Sequence, residues 1–123
     1  MSHEISQRFF FEAAHTLQRE VETHGSARVH GHTYQAEVSV QGIPDAGTGM
    51  VMDIALLRSQ IEAVRAQLDH HLLDEVAGLG LPTLENLCSY IAGQLSTCPG
   101  LSLVRVWRDA AGDSCTLRVG GAR

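Results

Sequence analysis

Hydrophobic and polar residues alternate strictly along one stretch of the chain, from Thr33 to Gln41. Even-numbered positions are apolar or aromatic and odd-numbered positions are polar, so the period is two and the stretch is predicted to be a β-strand. The same parity, extended backward, places His30 and His32 on the apolar face. This strand, predicted to span His30 to Gly42, follows an earlier predicted strand from Ile5 to Ala14.

Two later segments carry apolar residues at the three- and four-residue spacing of an amphipathic helix. Asp53 is suited to cap the first helix, and Asp69-His70-His71 lies at or just past its end. Thr83 is suited to cap the second helix, with Glu85 in its first turn. The predicted buried stripes are Ile54, Leu57, Ile61, Val64 and Leu68 in the first helix and Leu84, Leu87, Cys88, Ile91 and Leu95 in the second.

Two short strands complete the chain, one predicted from Leu101 to Arg108 and the other from Ser114 to Val119. The segment from His15 to Val29 has no apolar period and is predicted to be a loop. The order ββααββ therefore predicts an α+β fold, in which two helices cover one face of an antiparallel sheet. Four strands leave open edges, which such a sheet must cover or pair with another subunit.

Composition narrows the class of protein further. A length of 123 residues suits one domain, predicted to span residues 1–123. The net charge of −5 and the lack of a basic run argue against a nucleic-acid partner. There is no apolar stretch of membrane-spanning length and no signal-peptide pattern, so no membrane partner is expected. Three cysteines without CxxC spacing fit a reducing cytoplasm, which is the predicted localisation.

The histidines carry the candidate chemistry. His30 and His32 point the same way from one strand, and His15 closes the strand before it. A bare His-x-His pair is weak evidence for a metal, and a lone histidine is more often a satisfied polar residue. A third imidazole from a neighbouring strand would nevertheless complete a three-nitrogen set with an open fourth position, which is typical of catalytic zinc. Other divalent ions could occupy the same set.

Five ordered motifs resemble the family of 6-pyruvoyl- and 6-carboxytetrahydropterin synthases. They cover residues 9 to about 95 and are Phe11-Glu12-Ala13-Ala14-His15, His30-Gly31-His32-Thr33-Tyr34, Gly49-Met50-Val51-Met52-Asp53, Leu68-Asp69-His70-His71-Leu72-Leu73 and Pro82-Thr83-Leu84-Glu85-Asn86-Leu87. The resemblance implies the tunnelling fold (T-fold) in an oligomeric barrel. It also implies a homo-oligomer, a trimer or a hexamer of stacked trimers, with active sites between subunits.

The same resemblance implies roles for individual residues. His15, His30 and His32 correspond to the Zn²⁺ ligands, and Asp69 and His70 to part of a catalytic proton-transfer triad. Thr83 and Glu85 correspond to the pterin pocket. The implied substrate is 7,8-dihydroneopterin triphosphate, converted to a 6-pyruvoyl or 6-carboxy product, the latter on the way to deazapurines such as queuosine.

Two positions depart from the family pattern. Ser26 stands where the family has its catalytic cysteine, and a serine hydroxyl needs an adjacent base to act comparably. Glu20 or Glu22 could replace that base. Arg108 stands where the family has the glutamate that binds the pterin, and a guanidinium offers only donors. It suits a carboxylate or phosphate, or it is simply an exposed strand residue.

Three interpretations follow from these departures. The first is a zinc-dependent lyase of the tetrahydropterin synthase type in which Asp69, His70 and Ser26 suffice. The second is a divergent enzyme that acts on a different, more anionic substrate. The third is a non-catalytic zinc-containing binding protein. Retention of the Asp69-His70 pair favours an enzyme, because a binding module needs no proton-transfer pair.

Overall fold

A computed structural model describes residues 1–16 and 28–120 of the chain. Its elements are β1 (His3–His15), β2 (His30–Gly42), α1 (Ile54–Leu68), a 3-10 turn (Leu73–Glu75), α2 (Leu84–Gln94), β3 (Leu101–Arg108) and β4 (Asp113–Arg118). The predicted order ββααββ is confirmed. The ends of β2 and β3 match the prediction, and those of β1 and β4 differ from it by one or two residues. The 3-10 turn was not predicted, since three residues are too few to show a period.

The four strands form one antiparallel sheet in the order β1-β2-β3-β4. β1 and β2 pair over their whole lengths, from His3 opposite Gly42 to His15 opposite His30. Along β2 the even-numbered positions are the more buried ones up to Val38, as the alternation predicts. The register therefore brings the histidine ends of both strands together at one end of the sheet.

Both helices begin at the predicted caps and contribute to the core. The Asp53 carboxylate accepts a hydrogen bond from the Ala55 N–H (2.9 Å), and the Thr83 hydroxyl accepts one from the Asn86 N–H (3.1 Å). These caps satisfy N–H groups that a helix start otherwise leaves unpaired. The helix residues buried against the sheet are Leu57, Ile61, Val64 and Leu68 from α1 and Leu87, Cys88, Tyr90 and Ile91 from α2.

The segment after α1 runs beside the outer edge of β1. The His70 N–H donates to the Glu12 carbonyl (2.6 Å), and the Ala14 N–H donates to the His71 carbonyl (3.1 Å). This short pairing covers part of an edge that would otherwise expose backbone groups. It also fixes Asp69 and His70 close to the histidine end of the sheet. In the described part of the chain, no helix is long and apolar enough to cross a membrane.

The start of β3 is fixed by a close approach of two backbones. The Gln41 N–H donates to the Gly100 carbonyl (2.8 Å), next to a shift in the β2–β3 register between Ser39 and Val40. Gly100 has φ +80°, and a Cβ at this position would overlap the Gln41 carbonyl oxygen. Only glycine satisfies both the conformation and the contact.

We expect Gly100→Ala to lower the free energy of unfolding by about 2–4 kcal/mol, since it adds a backbone clash to left-handed strain. Gly112→Ala is the matched control, because Gly112 has φ +77° with no atom within 4 Å of an added Cβ. Strain alone should cost that variant about 1–2 kcal/mol. Urea denaturation measures both values. Equal losses would show that the contact with Gln41 does not restrict the β3 start.

Candidate metal centre and adjoining clefts

Three imidazoles converge at the end of the β1–β2 pair. His15 Nε2 lies 3.0 Å from His30 Nε2 and 3.0 Å from His32 Nε2. One ligand atom from each of the three residues falls within 4.8 Å of the others. Three imidazole nitrogens at this separation form a possible metal site with room for a further ligand. The structure thus brings together the three residues that the strand pattern proposed.

Backbone carbonyls orient two of these rings. Pro82 O lies 3.1 Å from His15 Nδ1, and Arg28 O lies 2.7 Å from His30 Nδ1. A carbonyl can only accept, so Nδ1 of each ring carries the proton and Nε2 presents its lone pair toward the cluster. This is the outer hydrogen bond that a metal-binding histidine usually makes.

Burial keeps His15 in the neutral form that a metal requires. The side chain is only 2% exposed. Desolvation lowers its pKa below the usual 6.5, while the hydrogen bond to Pro82 O opposes the shift and the nearby His30 and Arg108 add to it. A neutral imidazole is therefore favoured at the centre of the cluster before any ion binds.

Asp69 and His70 form a hydrogen-bonded pair beside this cluster. His70 Nδ1 lies 2.9 Å from Asp69 Oδ2, although the two residues are adjacent in the chain. The pairing is possible because His70 has φ +58°, a left-handed conformation that turns its ring back toward the preceding carboxylate. The Glu12 N–H bonds the other carboxylate oxygen (2.9 Å), and this bond, followed by that to His70, lowers the pKa of Asp69.

Two clefts meet at the imidazole cluster. The larger, of about 490 Å³, is lined by His32 and by the His70 side chain, which is 76% exposed. The smaller, of about 190 Å³, is lined by His15, Thr83 and Glu85. Because His15 and His32 touch through their Nε2 atoms, the cluster lies between the clefts. The proton-transfer candidates and the pocket candidates therefore approach the cluster from two sides.

Arg108 lies inside the smaller cleft and is not the exposed strand residue that one interpretation allowed. It is 8% exposed, its Nη1 lies 3.0 Å from His32 Nε2, and its Nη2 pairs with the Asp113 carboxylate. The β2–β3 register pairs Gln35 with Trp107, which leaves Arg108 on the core face. Asp109 is exposed and accepts a hydrogen bond from the Trp107 indole, so it does not take the place of a pterin-binding carboxylate here.

The remaining candidates have separate outcomes. Thr83 and Glu85 line the smaller cleft, where the Thr83 oxygen is already engaged as the α2 cap. Ser26 lies outside the described residues, as do Glu20 and Glu22. The roles of all these residues stay predictions.

Sequence reasoning missed two residues of the smaller cleft. Tyr34 lines it, and its ring centroid lies 6.4 Å from that of His15 and 5.7 Å from that of His32. Burial raises the pKa of Tyr34 to about 12. Its place two residues after His32 on the same strand face was the signal that could have found it. Asp113 has no signal of its own in the sequence, and only the β3–β4 pairing brings it to Arg108.

Comparison with known proteins identifies the family. The sequence matches the family described as 6-pyruvoyl tetrahydropterin synthase over residues 4–119. The chain belongs to this family. The predicted resemblance is therefore confirmed on nearly the whole length of the chain.

Relatives within the family have different names. The chain is 36% identical over 110 residues to a 6-carboxy-5,6,7,8-tetrahydropterin synthase of Synechocystis, and the match covers 83% of each chain. It is 33% identical to a dihydroneopterin monophosphate aldolase of Pyrococcus furiosus, covering 77% of this chain and 76% of the other. It is 34% identical to the human 6-pyruvoyl tetrahydrobiopterin synthase, and the match covers 72% of this chain and 70% of the human one. These names support an enzyme of pterin metabolism.

Solved structures of the family confirm the fold. The 6-pyruvoyl tetrahydropterin synthase of Caenorhabditis elegans superposes with a TM-score of 0.83 at 24% identity, covering 96% of both chains. That of Plasmodium vivax superposes with a TM-score of 0.70 at 16% identity, covering 97% of this chain and 99% of the other. At these identities the likeness shows the T-fold alone.

We expect His15→Ala to weaken zinc binding by at least about 100-fold, because removing a metal ligand should lower the affinity more than removing a residue that only hydrogen-bonds to a ligand. Competition with a chromophoric chelator measures the affinity. His3→Ala is the control, since His3 is an exposed residue at the opposite end of β1. Unchanged affinity in His15→Ala would refute the ligand assignment.

Proposed function

We propose that this protein is a zinc-dependent lyase that acts on 7,8-dihydroneopterin triphosphate or a related pterin to form a 6-carboxy- or 6-pyruvoyl-tetrahydropterin. The observation that carries the proposal is the cleft shared by His32 of the imidazole cluster and by His70, which is hydrogen-bonded to Asp69. A metal-binding group and a proton-transfer group on one cleft suit removal of a proton beside an oxygen.

Each group has a task in such a reaction. His15, His30 and His32 would hold Zn²⁺, which supplies Lewis-acid polarisation of a side-chain oxygen and makes the adjacent C–H more acidic. His70 would accept or return the proton, since an imidazole nitrogen can take up a proton and later donate it. Asp69 would fix the ring through Nδ1 and stabilise its charged form, which leaves Nε2 as the atom that exchanges protons.

The proposal also covers the oligomeric state of the protein and its localisation in the cell. β1 and β4 are the outermost strands of the sheet, and His70 faces solvent, which supports a trimer or hexamer with active sites between subunits. We also place the single domain, residues 1–123, in the cytoplasm. A 6-carboxy product would serve the formation of deazapurines.

Incubation of the zinc-loaded protein with 7,8-dihydroneopterin triphosphate should give a 6-carboxy or 6-pyruvoyl product, detected by mass spectrometry. His70→Asn should lower kcat by about 10²- to 10⁴-fold, the usual contribution of a general acid–base group. Asparagine is chosen because it tolerates the left-handed backbone at this position.

His3→Asn serves as the control for loss of a histidine and should retain full activity. Dihydroneopterin monophosphate is the second substrate to test, because one relative is named an aldolase for it. A folded, metal-bound protein that converts neither compound would contradict the proposal and favour a different, anionic substrate or a binding protein.

Ser26→Cys should raise kcat about tenfold or more if the serine is a weak replacement for the cysteine base, because a thiolate is available near neutral pH. Ser26→Ala tests whether the native hydroxyl contributes at all. In the 6-pyruvoyltetrahydropterin synthase of Plasmodium vivax, a glutamate is described as a catalytic residue. No gain in Ser26→Cys, with losses in Glu20→Gln or Glu22→Gln, would assign the base to a carboxylate instead.

A further inference from the structure

The Arg108 guanidinium is only partly satisfied by the described residues. Its Nη1 contacts His32 Nε2 and its Nη2 pairs with the Asp113 carboxylate. Its Nε is buried, and none of the described residues accepts a hydrogen bond from it. A buried donor without a partner is costly, and such groups often mark the place of a ligand.

A second residue that carries an unpaired donor lines the same cleft. The Tyr34 hydroxyl is buried and has no hydrogen-bond partner among the described residues. Tyr34 and Arg108 both line the cleft of about 190 Å³, together with His15. Two residues with orphaned donors on one small cleft suit a ligand that offers several acceptors, and a carboxylate or phosphate does so.

The charges that line the cleft favour such an anionic ligand only when a metal is bound. Glu85 and Asp113 line the cleft and carry one negative charge each, against one positive charge on Arg108. The cleft is therefore net negative by itself when the histidines are neutral. A divalent ion on the imidazoles reverses the balance and leaves one positive charge, which favours an anion.

The contact between Arg108 and His32 leads to the same conclusion. Nη1 of the guanidinium lies against His32 Nε2, which is the atom offered to a metal. An ion bound there takes that position from Nη1, so the guanidinium loses a contact beside a new positive charge. An anion between the two cations restores an acceptor to Arg108 and reduces the repulsion.

We propose that Arg108 and Tyr34 form an oxyanion site that is completed by the metal, and that this site binds a carboxylate or phosphate group of the substrate or product. The inference rests on the metal centre of the proposed function and specifies which chemical group lies at the smaller cleft. That volume suits one small anionic group rather than a whole bicyclic ligand. Arg108 would thereby select substrates by charge.

The test uses the cobalt-substituted protein, since Co²⁺ on a three-histidine site has a visible spectrum that changes when an anion binds. Titration with acetate and with inorganic phosphate gives a Kd for each. We expect Arg108→Met to weaken binding of the tighter anion about tenfold or more, and Tyr34→Phe to weaken it severalfold. Whichever anion binds more tightly identifies the group as carboxylate or phosphate.

Arg105→Met is the matched control. Arg105 lies on the same strand, but its guanidinium packs over the Trp107 ring on the opposite face, 4.5 Å from the ring centroid. Its replacement removes the same charge outside the cleft and should leave Kd within about twofold. Arg108→Lys, which keeps the charge but not the fork, should recover part of the affinity.

Equal anion affinity in the wild type and Arg108→Met would overturn the proposal, because the metal alone would then account for binding. So would binding of equal strength to the metal-free protein, measured by calorimetry. The cobalt spectrum of Arg108→Met before titration shows whether its imidazole cluster is intact, and Arg108→Lys carries the test if it is not. An absent cobalt spectrum in the wild type would instead refute the metal centre of the proposed function.

Discussion

The pairing of β1 with β2 is the constraint on which the rest of the site depends. The two strands run antiparallel for thirteen residues each, and the register ends with His15 opposite His30. A shift of one residue in either strand would turn the cluster histidines of that strand to the other face of the sheet. The imidazole cluster therefore depends on the same hydrogen bonds and apolar contacts that hold the core together, with Phe11 stacked on Tyr34 at 5.1 Å between ring centroids.

The proton-transfer pair is positioned by a different device. Asp69 and His70 follow α1 and are fixed to the edge of β1 by main-chain bonds to Glu12. The left-handed backbone of His70 costs free energy, which the surrounding hydrogen bonds must offset. Strained residues of this kind are concentrated at functional sites, so the backbone supports the same conclusion as the chemistry of the pair. The imidazoles on the paired strands and the strained turn at His70 thus meet at one cleft.

Local patterns were sufficient to predict much of this architecture. Strand alternation predicted the face shared by His30 and His32, and the caps at Asp53 and Thr83 were predicted because each acts on its own chain neighbours. The environment of Arg108 could not be predicted in this way. Its burial depends on the β2–β3 register and its partner Asp113 on the β3–β4 pairing, both of which join separate strands. The direct bond between Asp69 and His70 could not be predicted in this way either, because it needs a positive φ that the local pattern does not indicate.

This difference separates the imidazole cluster from the cleft beside it. The cluster needs three side chains on two paired strands, and Arg108 lies on a third strand, outside that pairing. The smaller cleft instead takes its character from side chains at the ends of strands, such as Arg108, where one change of charge would alter the preferred ligand. By the resemblance, Arg108 places a donor where the family has an acceptor, in a cleft that the buried Tyr34 also lines. A pocket altered in this way would keep its imidazole cluster while it selects for a group of opposite charge.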